Sequence, residues 1–510
     1  MYAKVYGSTI NGLDGHIVTV EVDISQGLPL FDIVGLPNQS VREARERVRA
    51  AIKNSHFEFP MRRIIVNLAP ADLKKESSGL DVAIAMGIII ASGQLRLRKS
   101  KRDLLVSHSV FIGELSLDGA IKPMRGMLAM AEAVSISRFK SIFTGLKNGS
   151  QAISIEGLHI YGSTTLEELT KGICNDSLVP IEPNHNDIHI SSIEETIGDY
   201  DDVHGQYMGK RAMEISAAGL HHIAMVGPPG SGKTMLASRL PSIMPPLREE
   251  ERLEVSKIHN IAGLLHGSSM IQNRPFRSPH HTATLASMVG GGTNLKPGEI
   301  TLAHKGILFL DEAPEYKRNV LDALRQPLES GYIHLSRHFG NYVYPAEFIL
   351  IMAYNPCPCG YYGDRHHSCN CSDGEIARYH HKLSGPLQDR LDIHIHVERP
   401  TYEELKTIHT DKGSSLDMKE RIIQARATQK ERFRHAPFDV NSHMPHSSVR
   451  QFCESTPAAE ELLEQVFKKL HLSARSYDRI LKVSRTIADL EGAKRIDHYH
   501  IAEAISLRNS

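Results

Sequence analysis

Eight residues constrain this chain more than any others: Gly227-Pro228-Pro229-Gly230-Ser231-Gly232-Lys233-Thr234, a full match to G-x-x-x-x-G-K-[ST]. The apolar run Ile223-Ala224-Met225-Val226 before it reads as a buried strand, and Met235 to Leu240 after it reads as the start of a helix. In that strand–loop–helix setting, glycines let successive backbone N–H groups close around phosphates. Lys233 is expected to reach the β and γ phosphates of ATP, and Thr234 to offer its hydroxyl to Mg²⁺. A Gly-rich turn that carries a lysine by chance would lack both flanks.

A second apolar run, Gly306 to Leu310, ends in Asp311-Glu312. Carboxylates at the C-terminal end of a strand face the crevice where open α/β sheets bind ligands. Asp311 is expected to hold Mg²⁺ and Glu312 to polarise the attacking water as general base. The alternative for the pair is a helix N-cap, which carboxylates also favour. A third run, Glu347 to Ala353, leads to Tyr354-Asn355. Asn355 either orients the water or is a turn residue before Pro356.

A length of 510 residues implies about three domains. Apolar residues at 41% and charged residues at 23% are ordinary for a globular protein. The formal net charge is zero, so any nucleic acid would have to be held by local patches. No apolar run approaches the ~18 residues a transmembrane helix needs. The start, Met1-Tyr-Ala-Lys-Val, lacks a secretory signal, and a cytoplasmic location is expected.

Residues 1–175 read as one α/β unit. Val18, Val20 and Val22 share a strand face, Ser40 to Glu43 forms a capping box, and Val41, Ala44, Val48 and Ile52 mark a helix stripe. Residues 176–195, rich in Asn, Pro, Asp and Ser, read as a linker. The ATPase core follows over 196–399. From 400 to 510 the pattern is helical, clearest at Ala458–Leu470, Ala474–Leu490 and Tyr499–Leu507.

Four of the six cysteines are clustered: Cys357-Pro-Cys359 and Cys369-Asn-Cys371, with nine residues between the pairs. Four thiolates so close together can close a tetrahedral Zn²⁺ site; the alternative is four reduced thiols in a compact loop. Either reading suits a reducing compartment better than a disulfide scaffold does.

The phosphate loop, Leu310-Asp311-Glu312 and Asn355 together resemble an AAA+ ATPase. Phe276 to His281, Gly290 to Gly292, Pro297 to Glu299, Ile300 to His304, Asn355 to Gly360, Ser384 to Leu391 and Ser484 to Leu490 resemble the magnesium-chelatase-like branch of that class. Over nearly the whole chain the resemblance is to the ComM family, also called YifB-like, whose members act as hexameric DNA branch-migration helicases in natural transformation. The implied fold is a Lon-protease-like first domain, an AAA+ core with a parallel sheet, and a C-terminal helical lid.

The resemblance implies further roles. Arg390, in Asp389-Arg390-Leu391, aligns with the arginine finger that enters a neighbouring subunit's ATP site. Arg475 aligns with the nucleotide-sensing lid arginine, with Arg479 as its competitor. The Gly-rich segment 287–298 and a hairpin over Tyr332–Tyr344 are expected to face a central pore, where Lys296, Arg337 and His338 would touch single-stranded or branched DNA. The basic helix Arg42–Lys53 and loop Arg96–Arg102 are either DNA contacts or a solvated face. A Lon-type protease needs a serine–lysine pair. Ser77 or Ser78 could stand near the serine position, but Leu128 stands where the lysine belongs, so the first domain is expected to be a scaffold. The implied function is a ring-forming DNA motor in homologous recombination. Its rivals are a motor subunit of a metal-chelatase-like complex and a protein remodeller.

Overall fold

The computed structural model describes residues 1–35, 39–71, 73, 75, 78–95, 97–182, 198–265, 270–292, 295–337, 340–364, 367–406 and 414–508. Most of the segment read as a linker, together with Ser77 and His338, lies outside them.

Two main sheets and a short pair, Glu114–Leu115 with Ile121–Lys122, build the first part. Strands Tyr2–Asn11, Asp14–Ser25, Arg63–Ala69 and Leu30–Val34 lie side by side in that order. Val18, Val20 and Val22 all point into the core, as their alternation predicts. A parallel sheet joins Ser109–Ile112, Ser141–Gly145 and His159–Ser163. Helix Asp81–Ala91 packs against both sheets and is buried along its whole length, as befits a helix apolar all round. Its one charge, Asp81, accepts from Arg47 Nε at 3.0 Å and Leu115 N at 3.2 Å, yet burial pushes its carboxyl up to about 7.

The apolar run Val110–Leu115 is split into two strands at Gly113. A Cβ there would meet Val82 and Ile121 at 2.8 Å, so the chain turns where only glycine fits. The helix expected to be capped at Ser40 spans Gln39–Asn54, which puts Ser40 inside it. The basic segment read as a loop is helical from Lys99, over Lys99–His108. Leu128 is buried in helix Met127–Ser135, and its N–H donates to Asn260 Oδ1 at 3.3 Å, tying this part to the next.

The central sheet is five-stranded and parallel, in the order Phe276–Arg277, Ile307–Leu310, Ile349–Tyr354, Ile223–Val226, Ile393–His396. The strand that leads into the phosphate loop thus lies between two strands that come later in the chain. Both faces are covered, as parallel sheets require. Ala224, Leu308, Leu310, Leu350 and Met352 enter one core, with Val320, Leu321 and Leu324. Ile223, Met225, Phe309, Ile351 and Ile393 enter the other.

That second core also contains Met418, Ile422, Ile480, Leu481 and Ile487. The helices Pro457–Leu470, Ala474–Leu490 and His498–Ser506 start and stop within a residue or so of where their periodicity places them, and Ser415–Arg432 joins them. They share the hydrophobic core of the sheet rather than building one of their own.

A charged knot fixes two of these helices, Ser415–Arg432 and Ala474–Leu490, to each other. Arg485, 1% exposed, donates to Asp489 Oδ1 at 3.1 Å and to the carbonyl of Lys494 at 2.9 Å. Arg432 donates to the same carboxylate, and Asn441 Nδ2 adds a bond at 2.9 Å. Removing the anion strands two buried cations. Asp489→Ala is expected to cost about 3–5 kcal/mol, read as a lowered denaturant midpoint, whereas substitutions at exposed Glu464 should leave the midpoint unchanged.

Candidate ATP site

Three strand ends converge on one crevice. The loop after Ile223–Val226 turns through Gly230 (φ +75°) and Gly232 (φ +88°), conformations that favour glycine, and passes directly into helix Lys233–Ser238. This helix starts two residues earlier than the sequence suggests, because Lys233 and Thr234 are already helical. A Cβ at Gly227 would lie 2.2 Å from the carbonyl of Val397, so the loop is pressed onto the adjoining chain. Gln206 Nε2 holds it from outside, donating to Ser231 O at 3.0 Å.

Lys233 is buried under this loop. Its Nζ donates to Gly227 O (2.7 Å), Pro228 O (3.0 Å) and Asn355 Oδ1 (3.3 Å). Burial lowers the ammonium's pKa from its ordinary value, and Asp311 offsets part of that. A cation held in this way gains from nearby phosphate charge. The Asn355 amide is therefore a direct partner of the phosphate-loop lysine.

Thr234 Oγ1 donates to Asp311 Oδ2 at 2.9 Å. A hydroxyl and a carboxylate so placed are the hard oxygen donors that Mg²⁺ prefers, and the ion would neutralise charge on the phosphates. Asp311 Oδ1 also accepts from the N–H of Glu312 at 2.9 Å.

Glu312 has φ +50°, left-handed backbone that a glutamate rarely adopts and that collects at functional sites. It precedes a 3-10 turn, Ala313–Glu315, but its side chain makes no capping bond. Its Oε2 instead lies 3.3 Å from Nδ1 of His281. His281 is positioned by its surroundings: its ring lies 4.1 Å from that of His280, and Tyr316 Oη donates to the carbonyl of Pro279. The role of His281 is not readable from spacing, because the strand before it, Phe276–Arg277, is only two residues long.

Arg390 and Arg475 lie elsewhere. Arg390 precedes strand Ile393–His396, so it stands at the N-terminal edge of the sheet, while the phosphate loop leaves the C-terminal edge. Both arginines line a cavity of about 640 Å³ with Glu329, whose carboxylate accepts from Arg390 Nη2 at 2.6 Å. Glu329 is held below its usual pKa by the Arg390 hydrogen bond and charge, with Arg475 adding to the effect. Arg479 pairs with Asp392 at 3.3 Å in the same region. Neither Arg390 nor Arg475 is brought to its own chain's Lys233.

The expected hairpin and the Gly-rich segment, which also pairs as a hairpin, lie at that same N-terminal edge. Tyr332–Arg337 pairs with Gly340–Pro345, and Gly290–Gly291 pairs with Lys296–Pro297. Tyr344 Oη donates to Leu295 O at 2.5 Å and ties the two together. Lys296 is exposed beside this tie. Arg337 ends its strand, next to residues outside the description. The four cysteines Cys357, Cys359, Cys369 and Cys371 gather immediately beyond Asn355, with their sulfurs all within 4.8 Å of one another.

A phosphate loop, with a hydroxyl–carboxylate pair and a second carboxylate at the neighbouring strand end of a five-stranded parallel sheet, is the arrangement of a P-loop ATPase. Family models agree: one described as magnesium chelatase, subunit ChlI matches residues 199–405, and others for subunit ChlI match 20–148 and, for its C-terminal part, 412–508. The chain is 42% identical to protein YifB of Salmonella typhimurium, covering 99% of this chain and 97% of the relative. It is 38% identical to competence protein ComM of Haemophilus influenzae, with the same coverage. A magnesium-chelatase 67 kDa subunit of Heliobacterium mobile is 23% identical over 54% of this chain and 40% of its own length. The chain belongs to the ComM/YifB family of magnesium-chelatase-like AAA+ ATPases.

Lys233→Ala is expected to abolish tight ATP binding. Glu312→Gln should bind ATP normally and lose about 100-fold or more in kcat. His281→Ala should also retain affinity but lower kcat, by up to about 100-fold, because the Glu312 carboxylate loses its support. Equilibrium binding of a fluorescent ATP analogue, measured beside phosphate release, separates the three outcomes.

Proposed function

We propose that this protein is the subunit of a ring, hexameric by family resemblance, that uses ATP hydrolysis to move branched or single-stranded DNA in homologous recombination, as branch migration during natural transformation requires. One observation carries the reading: Arg390 and both hairpins stand at the edge of the sheet opposite Lys233. An ATP site without its own finger arginine is completed by a neighbour's, which is how a ring couples successive sites. Hairpins tied to each other suit contacts that converge on one strand, and the exposed ammonium of Lys296 suits a phosphate backbone. The competence protein of Haemophilus influenzae, similar along its whole length, supports a role in DNA uptake or exchange.

In this reading ATP and Mg²⁺ occupy the crevice and Zn²⁺ occupies the four-cysteine cluster. The first domain is a Lon-like scaffold without protease activity, and the protein works in the cytoplasm. No helix among the described residues is long and apolar enough to cross a membrane.

With ATP the protein should form a ring and drive a Holliday junction or three-strand intermediate forward. Affinity for DNA should fall steeply with salt, by a logarithmic slope of about 0.7–0.9 per phosphate neutralised. Lys296→Ala combined with Arg337→Ala should reduce DNA affinity and junction movement while sparing basal ATP turnover. Arg390→Ala should bind ATP but hydrolyse it poorly, and mixing it with Lys233→Ala subunits should restore part of the activity. A protein that stays monomeric with ATP would overturn the ring, and one that never binds DNA at low salt with nucleotide present would instead support the chelatase-like motor.

A further inference from the structure

The four cysteines lie against the ATP site, and nothing in the hydrolysis chemistry uses them. Cys357 Sγ is 3.3 Å from Cys359 Sγ and 3.7 Å from Cys369 Sγ, and the latter two are 3.6 Å apart. Sulfurs placed tetrahedrally at ~2.3 Å around Zn²⁺ lie about 3.8 Å from each other. The cluster therefore has nearly the dimensions of a tetrathiolate site. The N–H of Tyr362 points at Cys357 Sγ (3.3 Å) and that of Cys371 at Cys369 Sγ (3.4 Å), bonds that stabilise sulfur in its anionic form. An all-sulfur donor set selects a soft or borderline ion such as Zn²⁺ over Mg²⁺ or Ca²⁺.

The loop that carries these thiols is seated on the phosphate loop. Gly360 has φ +87°, and a Cβ there would lie 2.7 Å from Cδ of Pro229. Arg399 bridges the two loops. Its Nε donates to the carbonyl of Pro229 at 3.2 Å, Nη1 lies 3.3 Å from Nδ1 of His367, and its guanidinium stands 5.6 Å from the Tyr361 ring centre. On the other flank, Asn355, two residues before Cys357, reaches Lys233. The cysteine loop thus touches the phosphate loop at Pro229 directly, at its carbonyl through Arg399, and at its lysine through Asn355.

We propose that Zn²⁺ held by Cys357, Cys359, Cys369 and Cys371 is a clasp that sets the conformation of the phosphate loop, so that nucleotide affinity depends on metal occupancy. The proposal rests on the zinc reading above. Binding replaces thiol protons with the ion and involves no change of oxidation state. With the ion in place, Cys357 and Cys359 are tied to Cys369 and Cys371, which fixes Gly360 and the partners of Arg399 together. Without it, four thiols have no common centre, and Pro229 and Asn355 lose their outer support.

The test uses fresh, tag-free, full-length protein. Metal analysis should find about one zinc per chain. Removing it with a strong chelator should weaken binding of a fluorescent, slowly hydrolysed ATP analogue by about 10-fold or more, and added Zn²⁺ should restore it. Circular dichroism reports whether the chain stays folded throughout. Cys369→Ser with Cys371→Ser should lose both zinc and affinity, whereas Arg399→Ala should keep zinc and still lose affinity. Protein without zinc overturns the metal site and leaves the ATPase assignment intact. Zinc that comes and goes with no change in nucleotide affinity overturns the clasp and leaves the metal site. If chelation unfolds the protein, Arg399→Ala decides: retained zinc with unchanged affinity overturns the clasp.

Discussion

Everything in this structure depends on the parallel pairing of Ile223–Val226 with Ile349–Tyr354 on one side and Ile393–His396 on the other. Parallel strands send all their outgoing loops to one edge and receive all their incoming connections at the other. The phosphate loop, Asp311-Glu312 and Asn355 leave the same edge, so Lys233 meets Asn355, and Thr234 meets Asp311, with no long excursion of the chain. Arg390, Arg475 and the paired hairpins belong to the opposite edge. One end of the sheet is thus equipped for phosphate chemistry. The other presents cations and loops that have no use for the phosphates of their own subunit.

Packing couples the two ends. The C-terminal helices share the core on one face of the sheet, so a shift of the strands cannot leave them behind. Arg432 and Asp489 hold two of those helices, Ser415–Arg432 and Ala474–Leu490, together. On another flank, Lys257 meets Glu132 at 2.6 Å, and Asn260 accepts from Leu128, linking the first part of the chain to helix Glu249–Ala262. Small movements at the crevice therefore have rigid elements to act on, which is what a motor needs from its fold.

Much of the ATP site was legible in the sequence because its chemistry is local. A phosphate loop is eight adjacent residues, and a strand followed by two carboxylates reads directly from the chain. Pro457–Leu470, Ala474–Leu490 and His498–Ser506 were legible from their period. What the sequence could not show depends on tertiary contact. His281 follows a strand too short to have a period, and Gln206 reaches the phosphate loop through a left-handed backbone turn that nothing local demands. The neighbourhood of Arg390, Arg475 and Glu329 joins three elements far apart in the chain. That the C-terminal helices complete the core of the sheet is a fact of packing, because their amphipathic stripes would look the same facing any apolar partner.

The central claim is that the edge bearing the hairpins and the edge bearing Lys233 form one machine, driven by ATP and acting on DNA. The most direct measurement is the ATP turnover of the full-length protein at low salt, with and without single-stranded and branched DNA. The account predicts that at least one DNA structure raises turnover several-fold and that the effect fades as salt is added. Turnover indifferent to every DNA structure tested, in a protein that hydrolyses ATP through Glu312, would contradict it.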